Sequence, residues 1–159
     1  MINLQNTNQA TANAIKILVY GPSGTGKTSL IPTMPAPIIL SAEAGLLSIA
    51  SADLPFIAIK TMQDLSEAYI WLTTSDDAKG FGSIALDSIS EIAEVCLDAE
   101  KKSAKDPRQA YGEMATIMAQ VIRMFRDIPN RHVLFTAKLD KSQDETGRML
   151  YAPSMPGNK

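Results

Sequence analysis

The chain has 159 residues, 45% of them hydrophobic and 20% charged, with a formal net charge of -2. That is the balance of one globular domain in water, and it excludes a whole-surface basic field, so any grip on nucleic acid must be local. One Cys and one His exclude an intrachain disulfide and a Cys/His zinc site, and no apolar run approaches the roughly 18 residues of a membrane helix. The opening MINLQNTNQATANA is polar and lacks the basic-then-apolar order of a secretory signal. The expectation is a cytoplasmic protein with no membrane contact.

Residues 1–14 show no periodicity and read as a flexible leader, which leaves 15–159 as one domain. IKILVY (15–20) is a β-rich apolar run that ends at Gly21, as a buried strand does. A short helix is expected from about Lys27, stopped near Ile31 by the proline-rich IPTMPAP. PIILS (37–41) and FIAI (56–59) read as the next two strands. Thr61 with Asp64 forms a capping-box pattern at the head of a helix to about Thr74, with Leu65, Ala68, Tyr69 and Leu72 on its apolar face.

SIALD (83–87) reads as a fourth strand. Ser88 with Glu91 repeats the capping pattern ahead of Ile89, Ile92, Ala93, Cys96 and Leu97 at helical spacing. The charged stretch 98–109, with Pro107, breaks that period. Met114, Ile117, Met118, Val121 and Phe125 mark a further helix, and HVLFTA (132–137) a fifth strand. The remainder reads as a hairpin turning at Glu145, Thr146 and Gly147. Alternating strands and helices predict an α/β fold with a mostly parallel sheet covered on both faces. Cys96 is expected to be a buried thiol, and Met62, Met114, Met118 and Met124 to be core filler.

GPSGTGKT, residues 21–28, satisfies the phosphate-loop pattern and lies between a strand and a helix, the context that pattern needs. Gly21, Gly24 and Gly26 let the backbone wrap a phosphate with its N–H groups inward, and Pro22, Ser23, Thr25 and Ser29 complete the binding segment. A helix start after the loop adds its positive dipole end. Lys27 is the expected cation for the β- and γ-phosphates, and Thr28 an expected Mg²⁺ ligand, so ATP with Mg²⁺ is the expected ligand. Asp87, at the carboxyl end of an apolar strand, is the expected acid for the metal. Glu43, just past the second strand, is a candidate to orient or deprotonate water. Lys138, directly after the fifth strand, is a candidate γ-phosphate contact, with a solvated strand-end lysine as the alternative.

Taken in order, KILVYGPSGTGKTSL, IILSAEAG, SIALDSISE and HVLFTAKLDKSQDETGRMLYAPSMPGNK resemble the RecA-like core. They resemble more closely the phage-encoded AAA-type nucleotide-binding proteins of the Sak group, which anneal single strands. The resemblance implies a RecA-like ATPase fold, with Glu43 as the activator of water, Asp87 as the Walker-B acid and Lys138 at the γ-phosphate-sensing position. It also implies ATP hydrolysis, single-stranded DNA as partner, recombination as the role, and homo-oligomers in the full-length form. Relatives of this kind usually continue beyond the point equivalent to Lys159, so a fragment is expected. A nucleotide or small-molecule kinase is one alternative; the charged segment lacks the Arg-rich lid such enzymes carry. A nucleotide-gated scaffold or helicase-loading protein is the other. Lys101, Lys102, Lys105 and Arg108, or Lys138, Lys141, Arg148 and Lys159 on the hairpin, are the candidate DNA contacts, with Tyr111 and Tyr151 placed to stack on bases.

Overall fold

The computed structural model describes residues 14–43, 45–104 and 106–157. The leader, up to residue 13, lies outside them, as do Lys105 and Lys159. Five strands build the expected parallel sheet: β1 (Lys16–Gly21), β2 (Pro37–Ser41), β3 (Phe56–Ala58), β4 (Ser83–Asp87) and the first half of β5 (His132–Gln143), in the order β1-β5-β4-β2-β3. The second half of β5 turns antiparallel onto β6 (Met149–Pro153). The turn falls where the sequence placed it. Asp144 Oδ1 accepts from the amides of Thr146 and Arg148, and Gly147 takes φ 84°.

Every residue of β2 and β4 is buried, which is why both read as unbroken apolar runs rather than alternating ones. The pleat divides their side chains between two layers. Ile38, Leu40, Ile84, Leu86, Val133 and Phe135 face α1 (Met62–Thr74), α2 (Ile89–Ser103) and α3 (Pro107–Arg126). Ile39, Ala85 and Leu134 face Ile31 and Ile49, which belong to two short 3-10 helices, Thr28–Thr33 and Gly45–Ala52. The two faces are thus clothed unequally, one by all three α-helices and the other by 3-10 turns.

Local chemistry sets the helix starts. Thr61 and Asp64 make a full reciprocal capping box for α1, whereas Ser88 supplies only the forward half for α2. Asp106 caps α3 and Pro107 opens it, where its missing N–H costs nothing. Cys96 is fully buried, and burial, then the charge of Glu100, pushes its thiol up to about 11. Met114 and Met118 are core, Met62 is half-buried, and Met124 is exposed.

Several expectations are corrected. β1, expected as a buried strand, lies at the end of the strand order with Ile17, Leu18 and Tyr20 exposed, and Met124, expected as core filler, is exposed. The short helix expected after the phosphate loop is present as a six-residue 3-10 helix, because Pro32 lies inside it and removes the donor an α-helix needs. Residues 98–103 continue α2, since Glu, Lys and Ala favour helix whatever their charge. Only 104–106 separate it from α3. The 3-10 helix Gly45–Ala52 has no counterpart among the expected elements; it is too short to show a helical period.

Candidate active site

Parallel register delivers the functional side chains to one edge of the sheet. Gly21 pairs with Lys138 across β1 and β5, and Ser41 with Asp87 across β2 and β4. All four lie at carboxyl ends of parallel strands, where open α/β sheets bind their ligands. A cleft of about 310 Å³ at this edge is lined by Gly24, Lys27, Thr28, Glu43, Asp87 and Lys138, among others. Ser23, Gly26 and Ser29 also line it, while Gly21, Pro22 and Thr25 form the base of the loop without lining the cleft.

The loop's conformation explains its glycines. Gly24 and Gly26 take φ of 77° and 83°, in the left-handed region that side chains other than glycine resist. Neither Cβ would touch a neighbour, so the backbone angle, not space, requires glycine there. Lys27 Nζ folds back to the carbonyls of Gly21 and Pro22, at 3.0 and 2.8 Å. The same Pro22 carbonyl accepts from the Thr25 hydroxyl at 2.8 Å. The 3-10 helix that begins at Thr28 is too short to develop the macrodipole of an α-helix. The loop amides and Lys27 must therefore supply the positive potential.

Asp87 is 2% exposed. One carboxylate oxygen accepts from the Thr28 hydroxyl at 2.9 Å, and the other from the fully buried Thr136 at 2.5 Å. Hydroxyl and carboxylate oxygens so placed are the hard donors Mg²⁺ takes, and that ion needs only one or two protein carboxylates when phosphates complete its shell. Among the described residues no cluster of three or more His, Cys, Asp or Glu side chains could hold a metal ion.

Glu43 Oε1 accepts from the Ser88 hydroxyl at 2.9 Å and lies 3.8 Å from Lys138 Nζ. Lys138 also makes a close ion pair with Glu91. That hydrogen bond, ahead of the opposing effect of burial, raises the Lys138 ammonium above the ordinary lysine range. The amide of Lys138 donates to Ser90 Oγ at 2.9 Å, which itself donates to the Ser154 carbonyl at 2.7 Å. The structure thus gathers Lys27, Thr28, Glu43, Asp87 and Lys138 as the sequence led one to expect. It adds Thr136, Ser88 and Glu91. The last two were legible only as a helix cap, and their reach toward Glu43 and Lys138 depends on tertiary placement.

Of the candidate DNA contacts, Lys101 and Tyr111 line a separate groove. This groove, of about 570 Å³, lies between the α2–α3 pair and the chain after the hairpin, with Asp140, Ser154 and Gly157 lining its other side. Lys101 Nζ lies 5.5 Å over the Tyr111 ring, and Lys141 6.0 Å over Tyr151. Glu94 also lines this groove, and Glu113 beside Glu100 holds the latter's carboxyl above the usual range. His132, given no role from sequence, accepts the Ile15 amide at 3.1 Å and secures the entry to β1.

A family model described as "AAA domain" matches residues 13–158. Among solved structures, a prototypical ATPase from the type III secretion system of pathogenic bacteria superposes with a TM-score of 0.57 at 13% identity, covering 81% of this chain and 45% of that one. A KaiC-like protein from the hyperthermophilic archaeon Pyrococcus horikoshii OT3 gives a TM-score of 0.48 at 14% identity, with 90% and 80% covered. The chain therefore spans less than half the length of the secretion ATPase it matches. No curated protein sequence matches it. Among the described residues no helix is long and apolar enough to cross a membrane.

Proposed function

The chain belongs to the AAA domain family of P-loop ATPases, and from that premise we propose that it binds ATP with Mg²⁺ in the strand-end cleft, hydrolyses it, and uses the cycle to handle single-stranded DNA in phage recombination. The observation that carries the nucleotide part is Asp87. A nearly buried carboxylate held by two hydroxyls sits beside the phosphate loop, with Glu43 and Lys138 on the same cleft.

In this reading Lys27 leaves its two carbonyl partners to meet the β- and γ-phosphates, while the loop amides surround them. Thr28 and Asp87 hold the metal. Bound Mg²⁺ supplies neutralisation of the charge that develops on the phosphate oxygens. Glu43, fixed by Ser88, accepts a proton from water as its oxygen attacks the γ-phosphorus in line and ADP departs. Lys138 stands by the γ-phosphate edge and adds positive charge there.

The DNA part is supported by the Sak-group resemblance and by the groove beside Lys101 and Tyr111, where a cation and a ring are available to backbone and base. Its carboxylates keep a single copy's grip weak, so strong binding calls for homo-oligomers assembled along the strand. The deciding experiment is phosphate release measured with and without single-stranded DNA, and with small hydroxyl acceptors. Mg²⁺-dependent release stimulated by DNA is expected. Transfer to a small acceptor would make the protein a kinase, and nucleotide binding without turnover would make it a scaffold or loader.

A further inference from the structure

The strand-end cleft has a carboxylate just outside it whose partner lies inside. Glu91, in the first turn of α2, does not line the cleft, whereas Lys138 does. Glu91 nevertheless takes the Lys138 ammonium as its closest ion-pair partner, with Glu43 3.8 Å away on the other side. The backbone fixes this geometry. Lys138 sits opposite Gly21, the first residue of the phosphate loop. Glu91 is held three residues past Ser88, whose hydroxyl accepts the Glu91 amide at 3.4 Å and donates to Glu43 at 2.9 Å. Ser88, Glu91, Lys138 and Glu43 thus close a ring linking the start of α2 to the cleft.

We propose that Glu91 is the resting counter-ion of Lys138 and a positioning residue that sets discrimination between nucleoside triphosphate and diphosphate. The inference rests on the nucleotide reading above. A terminal phosphate that reaches Lys138 meets an ammonium whose charge the Glu91 carboxylate already offsets, so triphosphate binding is weakened by that pair. A diphosphate stops short of Lys138 and leaves the pair intact. Glu91 therefore weakens triphosphate binding selectively and returns Lys138 to its resting place once the terminal phosphate has gone. The pair is partly exposed, with side chains 46% and 28% accessible, so its influence is modest.

The test is titration calorimetry of Glu91→Gln with a non-hydrolysable ATP analogue and with ADP, each with Mg²⁺. Gln preserves size and helix propensity and leaves the Ser88 cap in place, and a thermal melt confirms folding. The analogue should bind about two- to fivefold more tightly, the scale of one partly exposed ion pair, and ADP unchanged. In a Lys138→Ala background the same substitution should have no effect, because the interaction it relieves is gone. Equal shifts for both nucleotides, weaker analogue binding, no change, or a shift that persists without Lys138 would each overturn the proposal while leaving nucleotide binding intact. Failure of the unmodified chain to bind either nucleotide would overturn the underlying reading instead.

Discussion

The cleft at the strand ends and the groove beside α2 and α3 are both polar, yet they are built by opposite means. At the cleft, Asp87 is 2% exposed and held by the hydroxyls of Thr28 and the fully buried Thr136, and Glu43 by the hydroxyl of Ser88. In the groove, Tyr111 is 38% exposed and Lys101 shares the lining with the carboxylates of Glu94 and Asp140, while Tyr151, on the hairpin outside it, is 56% exposed. Phosphoryl transfer needs donors fixed before the ligand arrives, because reorganising them during reaction raises the barrier. A sequence-tolerant grip on a flexible strand needs only mobile cations and ring faces. The difference teaches that single substitutions should act sharply in the cleft and gradually in the groove.

The largest effect is expected at Lys27. Lys27→Ala removes the cation from the β- and γ-phosphates and should take ATP affinity below detection by titration calorimetry. Unchanged affinity would break the contrast at its stronger end. Glu43→Gln comes next. It keeps the shape and the Ser88 hydrogen bond but removes the base, so binding should survive while steady-state turnover falls about 100-fold or more. If turnover holds, the water is activated elsewhere in the cleft.

The smallest effect belongs to the groove. Reversing charge at Lys101 and Lys102, both in the last turn of α2, should weaken single-stranded DNA binding roughly tenfold, at about threefold per lost phosphate contact. Fluorescence anisotropy at low salt reads this, with ATP affinity as the control. An all-or-none loss of DNA binding would show the groove to be as tightly specified as the cleft. DNA binding that stays intact would move the contact elsewhere.

Much of the cleft was legible because its residues are tied to local backbone. Gly24 and Gly26 are demanded by their own φ angles, and Asp87 closes a strand whose apolar run is plain in the sequence. The short helix expected after the loop takes 3-10 rather than α geometry because Pro32 lies inside it and Ile31 is packed in the core. The stretch 98–103 was misread because a polar helical face carries no hydrophobic period, even though its residues favour helix. Ser88 and Glu91 were visible as a cap alone. Nothing local announces that a capping hydroxyl also donates to a carboxylate 45 residues earlier in the chain.

By itself the sequence determined the strands, the capped helix starts, the phosphate loop and the acid that ends β4. Each is written in short-range chemistry: hydrogen-bond satisfaction, φ preference and apolar period. Only the tertiary structure decided the strand order β1-β5-β4-β2-β3, the gathering of all three α-helices on one face, and the register that sets Gly21 beside Lys138 and Ser41 beside Asp87. It also decided that Lys138 is shared between Glu91 and Glu43. Those outcomes depend on contacts between segments far apart in the chain, which are selected by burying the whole apolar surface together and leave no mark in any one window of sequence.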